Sequence, residues 1–188
     1  MLVIDCGSPK TPELQKVLRG LGCAFDTVKL ASLSPDHVSK AKGIIITGSP
    51  VLITESYPRL FAYKFSFLRT VDVPVLGICF GHQVMGLVYG ENVFKGEAVR
   101  RDEEITFMFD DPLLEGIPQK TVFLEDHTEG IELPDDDFYL LGSSDSCGVE
   151  AMKHKKKNMY GLQFHPEVSG ENGKRLLQNF CKMVGANH

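Results

Sequence analysis

Val73-Pro74-Val75-Leu76-Gly77-Ile78-Cys79-Phe80-Gly81-His82-Gln83 runs from an apolar stretch into a glycine-bracketed cysteine and then into a helical pattern. A nucleophile on a tight strand-to-helix turn is crowded by its own backbone. Both flanking positions must then be nearly free of side chain, and Gly77 and Gly81 meet that requirement. The reading places Cys79 at the tip of a buried strand, facing a cleft. A helix starting near Gly81 aims its unpaired N–H groups and positive dipole end at the sulfur, which favours a thiolate. Taken alone, the pattern is also that of a buried structural cysteine between two incidental glycines: G-x-C-x-G arises by chance on the order of a few per cent of the time in such a chain.

Outward from this stretch, the first half alternates short β-rich runs with helical patterns, the signature of βαβ units. Leu2-Val3-Ile4 reads as the first strand. A helix from Pro12 to Leu21 follows, with Leu14, Val17, Leu18 and Leu21 on one face and Gly22 as its stop. Cys23 to Leu30 reads as the second strand, Ser34 to Ala41 as a short helix capped by Ser34, and Gly43 to Thr47 as the third strand. Tyr57 to Arg69 reads as one helix, and Val73 to Ile78 as the fourth strand.

From Asn92 to Phe164 the pattern turns β-rich, with strands expected at Glu104–Phe109, Lys120–Glu125 and Phe138–Ser143. A hairpin is expected from Gly148–Lys153 and Asn158–Phe164, its turn the basic His154-Lys155-Lys156-Lys157. That turn reads as a solvated loop rather than a docking patch. Gly170 to Val184 forms the closing helix. The fold class is therefore α/β: an open, mainly parallel sheet flanked by helices, with an additional antiparallel portion in the second half. Residues 1–188 read as a single domain, without repeat or linker.

Composition narrows the function. A chain of 188 residues, 43% hydrophobic, can bury a sizeable core but leaves no room for a second large catalytic domain. Its formal charge of -5 argues against non-specific binding to nucleic acid or anionic membrane, which needs a surplus of Lys and Arg. The five cysteines are odd in number and form no C-x-x-C pair, which fits reduced thiols. No signal-peptide pattern opens the sequence and no apolar run approaches the roughly 18 residues a bilayer requires, so a soluble cytoplasmic protein is expected.

Three short motifs each follow a predicted strand: Thr47-Gly48-Ser49-Pro50, the Cys79 turn, and His165-Pro166-Glu167. Sites in open parallel sheets assemble just beyond the carboxyl ends of strands, so the three can share one cleft. A thiol, an imidazole and a carboxylate are what cysteine-based acyl transfer requires: a nucleophile, a base that holds its proton and an anion that orients the base. Pro166 stiffens the spacing of His165 and Glu167. The Gly48-Ser49-Pro50 turn can present a backbone N–H to the cleft and Phe80 a second, which together would form an oxyanion hole, although the turn also reads as an ordinary strand-to-loop turn. Of the other histidines, His82 falls in the first turn after Cys79, while His37 and His188 read as exposed. No histidine shows metal-ligand spacing, so no metal is expected.

Taken together, Gly77-Ile78-Cys79-Phe80-Gly81-His82-Gln83 and Gln163-Phe164-His165-Pro166-Glu167 resemble the class I, triad-type glutamine amidotransferases, whose fold is flavodoxin-like. The resemblance runs through nearly the whole chain. It implies hydrolysis of glutamine through a γ-glutamyl thioester on Cys79, with His165 as base and acid and Glu167 as its orienting partner. It also implies that Ser49 and Phe80 hold the oxyanion through their N–H groups, and that Gln83, Gly48 and His127 line the substrate pocket. Within the family, Cys147 to His154, Tyr160 to Gln163 and Asn179-Phe180-Cys181-Lys182 look most like the free-standing amidotransferase subunits of archaeal-type GMP synthetases. Ammonia then passes to a separate synthetase subunit that aminates XMP to GMP. ATP and magnesium are expected on that subunit only, with no cofactor in this chain.

The sequence departs from the family pattern at three places. Asp5-Cys6-Gly7-Ser8-Pro9 stands where a Gly-Gln pair is usual, Ser49 replaces a glycine and is strained if that position needs positive φ, and Asp126-His127-Thr128-Glu129 stands for Ser-His-x-Asp. A stand-alone γ-glutamyl hydrolase and a catalytically silent binding module of the same fold are the competing readings.

Overall fold

The computed structural model describes residues 1–186; His188 lies outside them. Strands β1 (Leu2–Asp5), β3 (Ile44–Ile46) and β4 (Val75–Ile78) are short and nearly wholly apolar, the composition of strands covered by helices on both faces. With β2 (Asp26–Lys29) at the edge and β9 (Met159–Leu162) beside β4, they form the parallel half of the sheet. The antiparallel half adds β8 (Ala151–His154), β7 (Phe138–Ser143), β5 (Val93–Phe107) and β6 (Lys120–Ile131). The order is β2-β1-β3-β4-β9-β8-β7-β5-β6, one continuous nine-stranded sheet.

Alternation along β1 divides the core. Val3 faces α1 (Thr11–Gly20) and α5 (Gly170–Ala186), packing with Leu14, Leu18, Leu176 and Phe180. Leu2 and Ile4 face the opposite layer, which holds α2 (Pro35–Ser39), α3 (Pro58–Lys64) and α4 (Phe80–Val88) and brings Phe65, Phe80, Val84 and Met85 into contact. Each fully buried aliphatic or aromatic side chain contributes about 1.5–3 kcal/mol relative to exposure. No helix of the described residues is long and apolar enough to cross a membrane.

The register places the site. Ile78 pairs with Leu162 across β4 and β9, and Cys79 N–H donates to the Leu162 carbonyl at 2.7 Å. Residues following the two strands therefore emerge side by side, although a long excursion of chain separates them.

Several boundaries differ from expectation. The stretch 57–69 is not one helix: α3 stops at Lys64, and a 3-10 turn, Ser66–Arg69, follows the buried Phe65. Strands β5 and β6 extend far beyond Glu104–Phe109 and Lys120–Glu125. They pair from Val93↔Ile131 to Thr106↔Lys120, with a register shift between Lys95 and Val99. From Phe94 to Asp102 every residue of β5 except Val99 is exposed, so apolar alternation marks only Ile105 and Phe107; cross-strand backbone bonds hold the rest. The hairpin of β8 and β9 is present, with strands shorter than expected and with His154 inside β8 rather than in the turn. Its basic turn is tied down, Lys157 donating to the carbonyls of Arg69 at 2.8 Å and Val71 at 3.0 Å, and Lys155 to that of Asp135.

Candidate active site

Cys79 joins β4 to α4 with φ 50° and ψ -102°, the one positive φ at a non-glycine among the described residues. Such a conformation costs of order 1–3 kcal/mol and persists only where the surroundings impose it. Here they do. A Cβ on Gly77 would fall 2.5 Å from the Gly81 carbonyl oxygen, and one on Gly81 would fall 2.4 Å from that of Ile46. Both glycines are therefore demanded by close backbone approach, and the turn they permit presents the sulfur at the positive end of α4.

His165 follows β9 and is held from three sides. Its N–H donates to the Leu124 carbonyl at 2.9 Å, its carbonyl accepts from Ser169 Oγ at 2.6 Å, and its Nδ1 lies 2.8 Å from Glu167 Oε1. The 3-10 turn Pro166–Val168 folds the carboxylate back onto the ring. Nδ1 being committed to Glu167, the ring's other nitrogen is the one available to Cys79. Burial disfavours the imidazolium, but hydrogen bonding to Cys79 and Glu167 outweighs it and pushes His165 up to about 10. The ring thus keeps its proton at neutral pH.

These groups open into a cleft of about 240 Å³, whose walls include Lys10, Ser49, Gln83, Asp126 and His127. Gly48 packs against the reacting pair: a Cβ there would lie 3.1 Å from His165 Cε1 and 3.6 Å from Cys79 Cβ. Ser49 does not adopt positive φ, so the strain expected of it is absent. The Gln83 amide nitrogen donates to the Glu129 carbonyl at 2.8 Å and to Gln163 Oε1 at 3.3 Å; the Gln163 amide in turn reaches Cys79 Sγ at 3.6 Å. Phe80 is the first residue of α4, where an N–H has no acceptor within the helix. His82 is fully buried behind the elbow, where burial lowers it to about 3 and keeps it neutral. A roomier hollow of about 960 Å³ beside Phe109, Asp111 and Gln119 contains none of these groups.

The glutamine amidotransferase class-I model matches residues 2–184. The chain belongs to the class-I glutamine amidotransferase family. Among relatives of this amidotransferase, a subunit of the glutamine-hydrolyzing GMP synthase of Pyrococcus furiosus is 34% identical over 189 residues, covering 98% of each chain. The protein of the same name from Methanococcus maripaludis is 38% identical over 194 residues, covering 98% of this chain and 97% of that one. A crystal structure of a candidate GMP synthase subunit from Thermoplasma acidophilum superposes with a TM-score of 0.90 at 27% identity, covering 99% and 94% of the two chains.

The amidotransferase fold brings together the residues singled out from the sequence: Cys79 and His165 share the cleft, Glu167 is bonded to the His165 ring, and Gly48, Ser49, Phe80, Gln83 and His127 lie around them. It also recruits residues that had no assigned role. Glu129 accepts from the N–H groups of Ile53 at 2.8 Å and Thr54 at 2.7 Å, anchoring the segment that follows Ser49. Lys10 pairs with Asp126 across the mouth of the cleft, and Arg100 reaches the same carboxylate at 3.4 Å. Two of the sequence departures, Ser8-Pro9 with its neighbour Lys10 and Asp126, thus meet in space.

Proposed function

We propose that this amidotransferase hydrolyses glutamine and passes the ammonia to a separate ATP-dependent synthetase chain, with amination of XMP to GMP as the reaction served. The observation that carries the chemistry is the placing of Cys79 and His165 in one cleft with the Glu167 carboxylate 2.8 Å from the far ring nitrogen. The Cys79 thiolate attacks the γ-carbonyl of glutamine. Oxygen becomes negative as the tetrahedral intermediate forms, and the N–H groups of Ser49 and Phe80 receive it; losing one such donor typically costs about 3 kcal/mol of barrier. His165 gives its proton to the departing nitrogen, the C–N bond breaks, and ammonia leaves a γ-glutamyl thioester. Water then loses a proton to His165 as it attacks the thioester, the C–S bond breaks, and glutamate departs. Glu167 orients the ring throughout. Gln83, Gly48 and His127 line the pocket for the substrate.

Support for the acceptor comes from the named relatives and from the absence of an ATP-binding signature in this sequence, so amination requires a partner. ATP and magnesium are assigned to that partner. The test is ammonia release from L-glutamine by the chain alone and with the ATP-dependent synthetase that co-purifies from the native organism. Release that rises on adding the synthetase, together with XMP-dependent GMP formation, is the expected result. Preferential turnover of γ-glutamyl peptides would replace it with a stand-alone hydrolase, and inertness of Cys79 toward a glutamine-like diazo-ketone would leave a binding module.

A further inference from the structure

Behind the cleft wall sits a cluster that the mechanism above does not use. Glu125 and Glu150 are both 0% exposed. The backbone fixes their distance from the chemistry. On β6, the Leu124 carbonyl accepts from His165 N–H at 2.9 Å and the Asp126 carbonyl lies 3.8 Å from Cys79 Sγ, so the intervening Glu125 is adjacent to both reacting residues. The Glu150 carbonyl accepts from Gln163 N–H at 2.8 Å, and Gln163 is the residue whose amide reaches the sulfur.

Both carboxyls ionised would leave a cluster of buried atoms without hydrogens between them. Both oxygens of Glu125, Oε2 of Glu150 and Nε2 of His127 all lack partners, and Nε2 stands 3.4 Å from Glu125 Oε2. His127 Nδ1 lies 3.1 Å from the Glu129 carbonyl, which can only accept. Nδ1 therefore carries a hydrogen, and in the neutral ring Nε2 is an acceptor. At the other end Ser144 donates to Glu150 Oε1 at 2.6 Å, leaving that carboxyl's second oxygen facing Glu125. Two added protons satisfy all four orphans in one direction: Ser144 to Glu150, Glu150 to Glu125, Glu125 to His127 Nε2, and His127 Nδ1 to the Glu129 carbonyl.

We propose that Glu125 works as a protonated acid, a positioning residue that, with a protonated Glu150 behind it, holds His127 as the neutral Nδ1–H tautomer in the cleft wall. Burial acts in the same sense, raising Glu125 to about 10 with the neighbouring Glu150 adding to it; burial also raises Glu150, outweighing the hydrogen bonds with Ser144 and Glu125 that lower it. The other charged groups facing the cluster are His165, which favours the ionised form of Glu125 and opposes a charged His127, Cys79, which opposes ionisation of Glu125, Glu103 of β5, which adds negative charge beside Glu150 and His127, and Asp126, which favours a charged His127. Neutrality has a purpose here. Two carboxylates behind Cys79 would oppose the thiolate, and a carboxylate against Nε2 would draw a second positive ring up to His165. The same pattern of a carboxylic acid kept neutral so that it can donate is known from other active sites.

The kinetic consequence rests on the glutaminase reading; the protonation states do not. Glutamine and amide share the shape of the protonated acid, so Glu125→Ala is expected to lower kcat about tenfold and Glu125→Gln to recover most of that loss. Nitrogen-15 NMR of the ring should show Nδ1–H and bare Nε2 for His127 from pH 6 to 8, and infrared spectra should show a buried carboxylic-acid carbonyl at neutral pH that Glu125→Gln diminishes. Damage from Glu125→Gln equal to that from Glu125→Ala, a His127 ring protonated at Nε2, or no protonated carboxyl at pH 7 would each overturn the proposal. The two spectroscopic measurements on the unmutated chain decide it even where a variant does not fold. A wild-type chain inert toward glutamine would remove the proposed reaction, while the spectra would still settle the acid.

Discussion

His165 Nδ1 stands 2.8 Å from Glu167 Oε1, with both side chains only 3% exposed. A buried ion pair of this kind is costly to break from one side, since the surviving charge is left without a partner. Glu167→Gln keeps the shape but removes the anion that orients the ring, and kcat for glutamine hydrolysis is expected to fall roughly a hundredfold or more. Together with the neighbouring Cys79, the pair makes stability depend on pH. Folding raises His165 from 6.5 to about 10, so its stabilising contribution is complete below pH 6.5, declines between 6.5 and about 10, and is gone above. Thermal melts across that window should show the wild type losing stability with rising pH and Glu167→Gln losing less; parallel curves would refute the assignment.

Cys79 has a use for its strain, and removing the sulfur separates the two. Cys79→Ala keeps the φ of 50° that an L side chain resists, whereas Cys79→Gly relaxes it. Relief of about 1–3 kcal/mol exceeds the 0.4–1 kcal/mol that glycine's extra unfolded-state freedom costs. Both variants should be inactive, with Cys79→Gly the more stable by about 1 kcal/mol, or about 2–4 °C in Tm for a chain of this size. A more stable alanine variant would mean that the elbow is not strained.

Much of the parallel half and its reacting residues was legible because local chemistry announced it. Ile44-Ile45-Ile46 can be little other than a buried strand, Gly77 and Gly81 bracket a turn that tolerates no Cβ, and Pro166 ties His165 to Glu167. The length of β5 was not legible, because from Phe94 to Ala98 it is exposed on both faces and its buried face beyond that is interrupted by Arg101 and Glu103, so only Ile105 and Phe107 show a period of two. Glu125 was hidden for the opposite reason. A carboxylate in a charged stretch reads as solvated, and only the packing of β6 behind Cys79 reveals it as 0% exposed. The pairing of Lys10 with Asp126 depends wholly on the fold bringing the loop after β1 to the edge of β6.

Glu129 gives a prediction about the oxyanion segment. Its carboxylate takes the N–H groups of Ile53 and Thr54, while its carbonyl takes Gln83 and His127. Truncation leaves the buried Ile53 amide unsatisfied, at about 1–3 kcal/mol. Glu129→Ala should therefore lose stability in that range and lower kcat/KM for glutamine about tenfold, with hydrogen exchange accelerating at residues 53 and 54 before the core strands. Glu129→Gln, which retains one acceptor oxygen, should fall between. Uniform acceleration of exchange throughout the sheet would show a global role instead.

The last prediction concerns the mouth of the cleft. Lys10 is 17% exposed, Asp126 39% and Arg100 68%, so the bridge between them is only partly shielded from water and salt. Burial works against the Asp126 carboxylate, but the hydrogen bond and charge of Lys10 outweigh it and hold the group below the usual carboxylate range. Pairs this open are worth at most about 1 kcal/mol to stability. Their place matters more than their energy, because the bridge joins the loop after β1 to β6 in the wall of the cleft that holds Cys79 and Gln83. Asp126→Asn should thus shift stability by less than about 1 kcal/mol, raise KM for glutamine severalfold and leave kcat nearly unchanged. Added salt should raise the wild-type KM toward that of the variant, since screening weakens the same contact. A large loss of stability with KM unmoved would make the bridge a structural strut with no part in admitting substrate.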